Sequence, residues 1–196
     1  TNSLKEDLKR RDFTINALAY NPITGIVDFF DGLRHIQEKK IMCVGDANKR
    51  FLEDALRMLR AIRLKAQLGF EIEDVTKNAI VNLAYKIRSI SKERITSEIN
   101  KILESYNPNS LFDLYKLKIS KYIDPLFNNI LEKNYKINNN LSIIKTETFY
   151  LYGFKDHSSQ VSPIIIKIWS YLFYNFSINL KDYLLFRRIL RDLKYS

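Results

Sequence analysis

The stretch KRFLEDALRMLRAIRLKAQLGF, Lys49–Phe70, decides the fold. Its apolar residues Phe51, Leu52, Ala55, Leu56, Leu59, Ile62 and Ala66 recur at the spacing of one buried helix face. The pattern predicts a long helix over residues 50–68, capped by Asp46 or Asn48 and closed by Gly69. The polar positions are less ordinary. Asp54, Arg57, Arg60 and Arg63 recur at intervals of three, each step falling about 60° short of a full turn, so they form a slanted band along one flank. An Asp–Arg pair at this spacing is commonly a surface ion pair worth a few tenths of a kcal/mol. Three arginines at one interval repel one another unless an anion lies among them.

That band has a chemical use. A carboxylate accepts a hydrogen bond from an exocyclic amino group, and a guanidinium donates to ring-nitrogen and carbonyl acceptors. Held side by side, Asp54 and Arg57 match the pairing edge of cytosine through N4, N3 and O2. They match adenine through N6 and N1. Guanine and uracil offer Asp54 the wrong donor order. The remaining arginines suit phosphates.

Working outward, KRRDFTINALAY at Lys9–Tyr20 sets two arginines and an aspartate against an apolar segment that Asn16 interrupts. The segment from Phe13 to Tyr20 reads as a helix ended by the turn residues NPITG. IVDFF and KIMCVG read as short strands that pair as a hairpin-like unit, with GLRHIQEK as a turn of helix between them. Beyond Gly69, EDVTKNAIVNLAYKIRSI is a second amphipathic helix, and Ser91 starts a third in SKERITSEINKILES. LFDLYKLKISKYIDPLF predicts a further helix stopped before Pro125. A loop is expected around Asn138–Asn140.

The chain has 196 residues, enough for one large domain or two small ones with a real core. Lys and Arg number 32 against 22 acids, a formal charge of +10 that suits a polyanionic partner, although abundant Lys, Asn, Ile and Tyr also fit AT-rich coding. The single cysteine, Cys43, forms no internal disulfide and reads as a small buried strand residue, in keeping with a reducing, cytoplasmic setting. No apolar run is long enough for a membrane span, and the opening TNSLKEDLKRR has no signal-peptide centre. His35 and His157 stand alone, so no zinc site is expected. Aromatic residues concentrate after Ser105 and glycines before Phe70, a change of texture that separates a motif-bearing first part from a helical second part.

RRDFTINALAY, DFFDGL, EDALRMLRAIRLKAQLGF and SKERITSEINKIL follow one another in the order and spacing of a known family. Over about residues 3–105 the chain resembles the class II, bacterial-type tRNA nucleotidyltransferases, the CCA-adding enzymes, and the closely similar bacterial poly(A) polymerases. The resemblance implies a mainly α fold: a helical neck and body with a small β element near residues 26–45, the remnant of an α/β nucleotidyltransferase head. It implies an end of head over 1–45, a neck over 46–105 and an RNA-binding body over 106–196. In such enzymes the segment like Arg10–Ala17 lines the nucleotide pocket. Arg11 would contact the incoming nucleotide, and Asp12 and Asn16 would order its ribose side. Glu53–Arg57 would be the amino-acid template, with Asp54 and Arg57 reading the base and Arg60 and Arg63 as pocket arginines. Glu93 and Arg94 would brace the template helix. Substrates would be CTP and ATP, and the partner a tRNA acceptor end.

Two departures stand out. His35 replaces an acid that the family commonly carries after Asp28 and Gly32. The sequence also holds no Asp-x-Asp strand and no Gly-rich loop, while two-metal phosphoryl transfer needs closely placed carboxylates. Asp28 and Asp31, three apart, are a poor substitute. The expectation is a chain without catalytic or metal-binding residues of its own, inactive alone, whose Mg2+ is held by a head on the same or another chain. CCA addition and poly(A) or A addition share the neck motifs. A non-catalytic RNA-binding protein is the alternative of another class, although such a binder has no need of a base template. In the terminal FRRILRDLKYS, Arg187, Arg188 and Arg191 share a helix face and are the local candidates for phosphate contacts.

Overall fold

The computed structural model describes residues 3–137, 140, 141 and 172. Among them the fold is mainly helical. Helix α1 (Leu4–Lys9) leads through a 3-10 turn at Thr14–Asn16 into strands β1 (Leu18–Asn21) and β2 (Gly25–Asp28). Helix α2 (Gly32–Gln37) and strand β3 (Lys40–Ile41) follow. Then come α3 (Ala47–Glu53), α4 (Leu56–Leu68), β4 (Glu71–Ile72) and α5 (Asp74–Leu83). Helix α6 (Lys92–Leu103) is followed by α7 (Asp113–Lys116), α8 (Ser120–Ile123) and α9 (Pro125–Lys136).

Local chemistry places several ends where the sequence puts them. Asp46 caps α3 by accepting the Lys49 N–H at 3.1 Å. Gly69 closes α4 in the left-handed region at φ 68°, a conformation that costs glycine nothing. Ser91 stands at the start of α6.

Elsewhere the structure corrects the reading. Leu18–Asn21 is a strand, not the end of a helix begun at Phe13, and it pairs antiparallel with β2, Tyr20 facing Ile26. NPITG is therefore a hairpin connection. Strand β3 does not join that hairpin: it pairs in parallel with β4, Ile41 beside Ile72, so the β structure reaches from residue 18 to residue 72. Phe13 meets Cys43 in an isolated antiparallel bridge, which fixes the Arg10–Asn16 segment against β3 and its continuation. Gly32 allows α2 to approach this segment: a Cβ there would lie 2.4 Å from the Thr14 carbonyl oxygen.

The long helix is broken as well. Asp54 is extended, with φ −150° and ψ 105°, and its Oδ1 accepts the Leu56 N–H at 3.0 Å. A short carboxylate that bonds nearby backbone competes with helix continuation, so α3 and α4 meet at an angle set by this residue. Leu52 then falls off the buried face and is exposed, while Phe51, Leu56, Leu59 and Ile62 are buried. Further on, Lys118 at φ 60° separates α7 from α8. Helix α8 does stop before Pro125, at Ile123 with Asp124 extended, and Pro125 also opens the next helix, because an N1 residue needs no N–H partner and Asp124 caps α9 by accepting the Phe127 N–H.

One apolar core takes in α3, α4, α5, α6, α7 and α9, with Met58, Leu59, Ile62, Ile80, Ile99, Leu111 and Ile130 among its members. Leu8, Ala17 and Val44 form a small separate cluster at the first end. Cys43 is buried and its thiol is pushed up to about 12 by that burial, which leaves it an apolar packing residue. Among the described residues no helix is long and apolar enough to cross a membrane.

Candidate nucleotide site

Where the Phe13–Cys43 bridge brings the Arg10–Asn16 segment against the α3–α4 break, a cleft of about 490 Å³ opens, lined by Arg10, Arg11, Asp12, Asn16, Asp54, Arg57 and Arg60. Four guanidinium groups face two carboxylates and one amide, a balance that attracts anions. A smaller pocket of about 270 Å³ near Ile90 and Tyr122 contains none of the candidate nucleotide-binding residues.

Each cleft side chain is held by a specific partner. Asp12 is buried; its Oδ1 accepts the Phe13 N–H at 2.9 Å and the Asn16 Nδ2 at 3.4 Å. Its Oδ2 forms an ion pair with Arg60 Nη2 at 2.7 Å, yet no aligned hydrogen bond reaches this oxygen. The oxygen is buried, so its compensation comes from the Arg60 charge. Asp54 gives Oδ1 to the Leu56 N–H and Oδ2 to Arg94 Nη2 at 2.9 Å, so each oxygen retains accepting capacity.

Arg57 donates from Nη1 to the Arg50 carbonyl at 3.1 Å and to Glu53 Oε2 at 2.8 Å. Its Nη2 reaches the Arg10 carbonyl at 3.3 Å. Nε and the second Nη2 hydrogen have no partner among the described residues. Asp54 and Arg57 are thus not paired with each other: the first is fixed by α6 and the second by α3 and residue 10. The expected side-by-side pair on one continuous helix is replaced by an acceptor and a donor edge, separately anchored across a helix break.

Arg11, Asp12, Asn16, Asp54, Arg57 and Arg60 come together as one lining. Glu53 and Arg63 do not line it. Glu53 lies behind Arg57 and also pairs with Arg50 Nη2 at 2.7 Å. Arg63 Nε sits 3.3 Å from Glu98 Oε2, with both side chains largely buried. Arg10 lines the cleft beside Arg11, and its adjacency in RRD is the signal by which it could have been singled out. Arg187, Arg188 and Arg191 lie outside the described residues.

Asp28 and Asp31 do not fit a magnesium ion. Asp28 accepts the backbone N–H groups of Phe30, Gly32 and Leu33 at 2.9–3.0 Å, and Asp31 pairs with Arg34. Burial alone would raise the Asp28 carboxyl; the three backbone donors outweigh it and hold the group below its ordinary value. Among the described residues no group of three or more potential metal ligands occurs. His35 is buried, its Nδ1 2.9 Å from the Thr14 hydroxyl, so it packs the loop behind the cleft.

The fold is of the nucleotidyltransferase type, as comparison with known proteins shows. Residues 1–42 match the family described as poly A polymerase head domain, and residues 69–131 match the probable RNA and SrmB-binding site of polymerase A. Together the matches cover more than half of the chain, which belongs to the family of CCA-adding enzymes and poly(A) polymerases.

The CCA-adding enzyme of Leuconostoc mesenteroides subsp. mesenteroides is 55% identical over 101 residues, which is 52% of this chain and 25% of the relative. The structure of the Bacillus stearothermophilus CCA-adding enzyme in complex with CTP is 44% identical with a TM-score of 0.61, over 62% of this chain and 31% of that one. A tRNA-processing enzyme in its apo form is 27% identical with a TM-score of 0.72, over 99% of this chain and 50% of that one. The Thermotoga maritima CCA-adding enzyme complexed with tRNA is 26% identical with a TM-score of 0.57, over 96% of this chain and 48% of that one. The chain thus spans about a quarter of the length of the first curated relative it matches.

Proposed function

We propose that this chain is the base-selecting and tRNA-holding part of a template-independent nucleotidyltransferase that adds C and A to the tRNA 3′ end. One observation carries the reading: a single cleft holds an acceptor with spare capacity, Asp54, and a donor edge with two unpaired hydrogens, Arg57. Cytosine presents N4–H, N3 and O2 to such a pair, and adenine presents N6–H and N1. Asp12 and Asn16 order the ribose side, and Arg11 contacts the phosphates. Residues 1–45 end the head, 46–105 form the neck that reads the base, and 106–196 form the body that holds tRNA, working in the cytoplasm. The carboxylates that bind Mg2+ belong to a head outside the described residues.

The test uses the chain joined to a nucleotidyltransferase head that carries an Asp-x-Asp pair, with tRNA lacking its 3′ end. The joined protein adds C and A, and the 196-residue chain alone with magnesium adds nothing. Arg57→Ala in the joined protein reduces the preference for CTP and ATP over GTP and UTP by about 1–3 kcal/mol, the worth of a bidentate base contact. An unchanged preference removes the template reading. Addition of A alone makes the protein a poly(A) polymerase, since the same pair reads adenine.

A further inference from the structure

Each arginine of the cleft is paired with a carboxylate. Glu53 holds Arg57, and Asp12 holds Arg60. Arg10 and Arg11 share one acid, Asp7, which lies outside RRDFTINALAY. Two neighbouring guanidinium groups on one stretch of backbone repel each other, and a carboxylate between them sets their spacing.

Asp7 is well placed to do so. It sits on α1, whose start is capped by Ser3 and whose Leu8 is buried in the small apolar cluster. Arg10 caps the end of the helix and Arg11 follows it, three and four residues on, and both reach back to this carboxylate. Arg10 lies side-on, with Nε at 2.9 Å and Nη2 also on Oδ1. Arg11 gives only Nη2, to Oδ2 at 3.2 Å. Arg10 is thus the more fully engaged, while Arg11 keeps Nε and Nη1 unpaired among the described residues. The backbone beneath is fixed separately, because the Lys9 carbonyl accepts Arg50 Nη1 and the Arg10 carbonyl accepts Arg57 Nη2, both at 3.3 Å. What is left to be oriented is the side chains.

We propose that Asp7 is a positioning residue for Arg11: by engaging Arg10 side-on and Arg11 through a single nitrogen, it aims the free donors of Arg11 at the phosphates of a nucleoside triphosphate in the cleft. The proposal rests on the reading of this cleft as the nucleotide site. Arg10 first, then Arg11, hold the Asp7 carboxyl below its ordinary value, so it carries its charge at neutral pH.

The experiment is a calorimetric titration of CTP, and separately of cytidine, into the 196-residue chain, with thermal unfolding of each variant. Asp7→Asn should weaken CTP about fivefold, the scale of one charge-assisted contact in a half-exposed setting. Cytidine, which has no phosphate, should bind as before. Asp7→Glu should recover CTP binding. In an Arg11→Gln background Asp7→Asn should add nothing, because the acid acts through that arginine. Asp7→Ser supplies the same comparison if Asp7→Asn folds poorly. Equal loss of CTP and cytidine binding together with a lower Tm would make Asp7 merely structural. Additive losses with Arg11→Gln would mean that it acts through another group. CTP binding unchanged by Asp7→Asn overturns this proposal alone. A wild-type chain that binds neither CTP nor cytidine overturns the nucleotide site, and this proposal with it.

Discussion

The first turns of α4 and its middle treat the same residue type in opposite ways. Arg57 and Arg60 lie at the end that faces residues 10–16, where the opposing backbone leaves a gap and both side chains line it. Arg63, one more interval along, lies where α6 packs close and presents Glu98, so its charge is spent inside the fold. Even spacing draws a line of side chains along a helix, but what packs against each part of that line decides which of them meet a ligand. An arginine band is therefore read correctly only when the partner helix is known.

The comparison breaks most clearly at Arg63. Arg63→Ala leaves the Glu98 carboxylate, 6% exposed, with Lys101 as its remaining ion-pair partner among the described residues. Removing one member of a buried pair costs about 3 kcal/mol. Urea unfolding should show that loss, while the joined enzyme keeps its preference for CTP and ATP. A changed nucleotide preference without a stability loss would return Arg63 to the cleft.

Arg94 sharpens the comparison from the other side, because it reaches from α6 to the cleft end. It is half exposed, so its ion pair with Asp54 adds at most about 1 kcal/mol to stability. Its removal frees the Asp54 carboxylate to rotate. Arg94→Ala should therefore lower the discrimination between CTP and UTP by less than Arg57→Ala does, with little change in the urea midpoint. Single-turnover incorporation with each nucleotide separates the two, and full discrimination in Arg94→Ala would mean that the Leu56 N–H alone orients Asp54.

Much of this was legible in the sequence. The apolar face of α4, its stop at Gly69 and the Asp46 cap follow from periodicity and cap chemistry. Six of the proposed site residues converge on one cleft because their motifs lie on adjoining elements. The misreadings have physical causes. Residues 18–21 carry too short an alternation to distinguish strand from helix, and only the partner strand decides. The break at Asp54 depends on one side chain capturing the Leu56 N–H, which no periodicity reveals. The pairing of β3 with β4 joins residues about thirty positions apart, so nothing local announces it. Asp7 was detectable as an i, i+3, i+4 partner of two arginines, but such pairs are common on ordinary surfaces.

The smallest effect concerns Asp28, the acid whose spacing from Asp31 imitates a metal pair. Its carboxylate is filled by three backbone N–H groups that shape the loop between β2 and α2. Its folded-state pKa lies below the ordinary value of 3.8. The ionised form is thus bound more tightly in the folded chain than in the unfolded one. Stability from this group is fully present above pH 3.8 and is lost as pH falls through the lowered value. Asp28→Asn puts an amide NH2 or a neutral oxygen where the Leu33 N–H now finds a charged acceptor. The urea midpoint of the wild type should exceed that of Asp28→Asn at neutral pH, and the difference should shrink as pH drops below 3.8. Because the group is only partly buried, solvent screening keeps the effect small. A difference that is constant through this range would mean that shape, and not charge, makes Asp28 fit its loop. A difference that grows on adding magnesium at neutral pH would make the acid a metal ligand after all, and would give the head end of the molecule the chemistry that its backbone contacts now deny it.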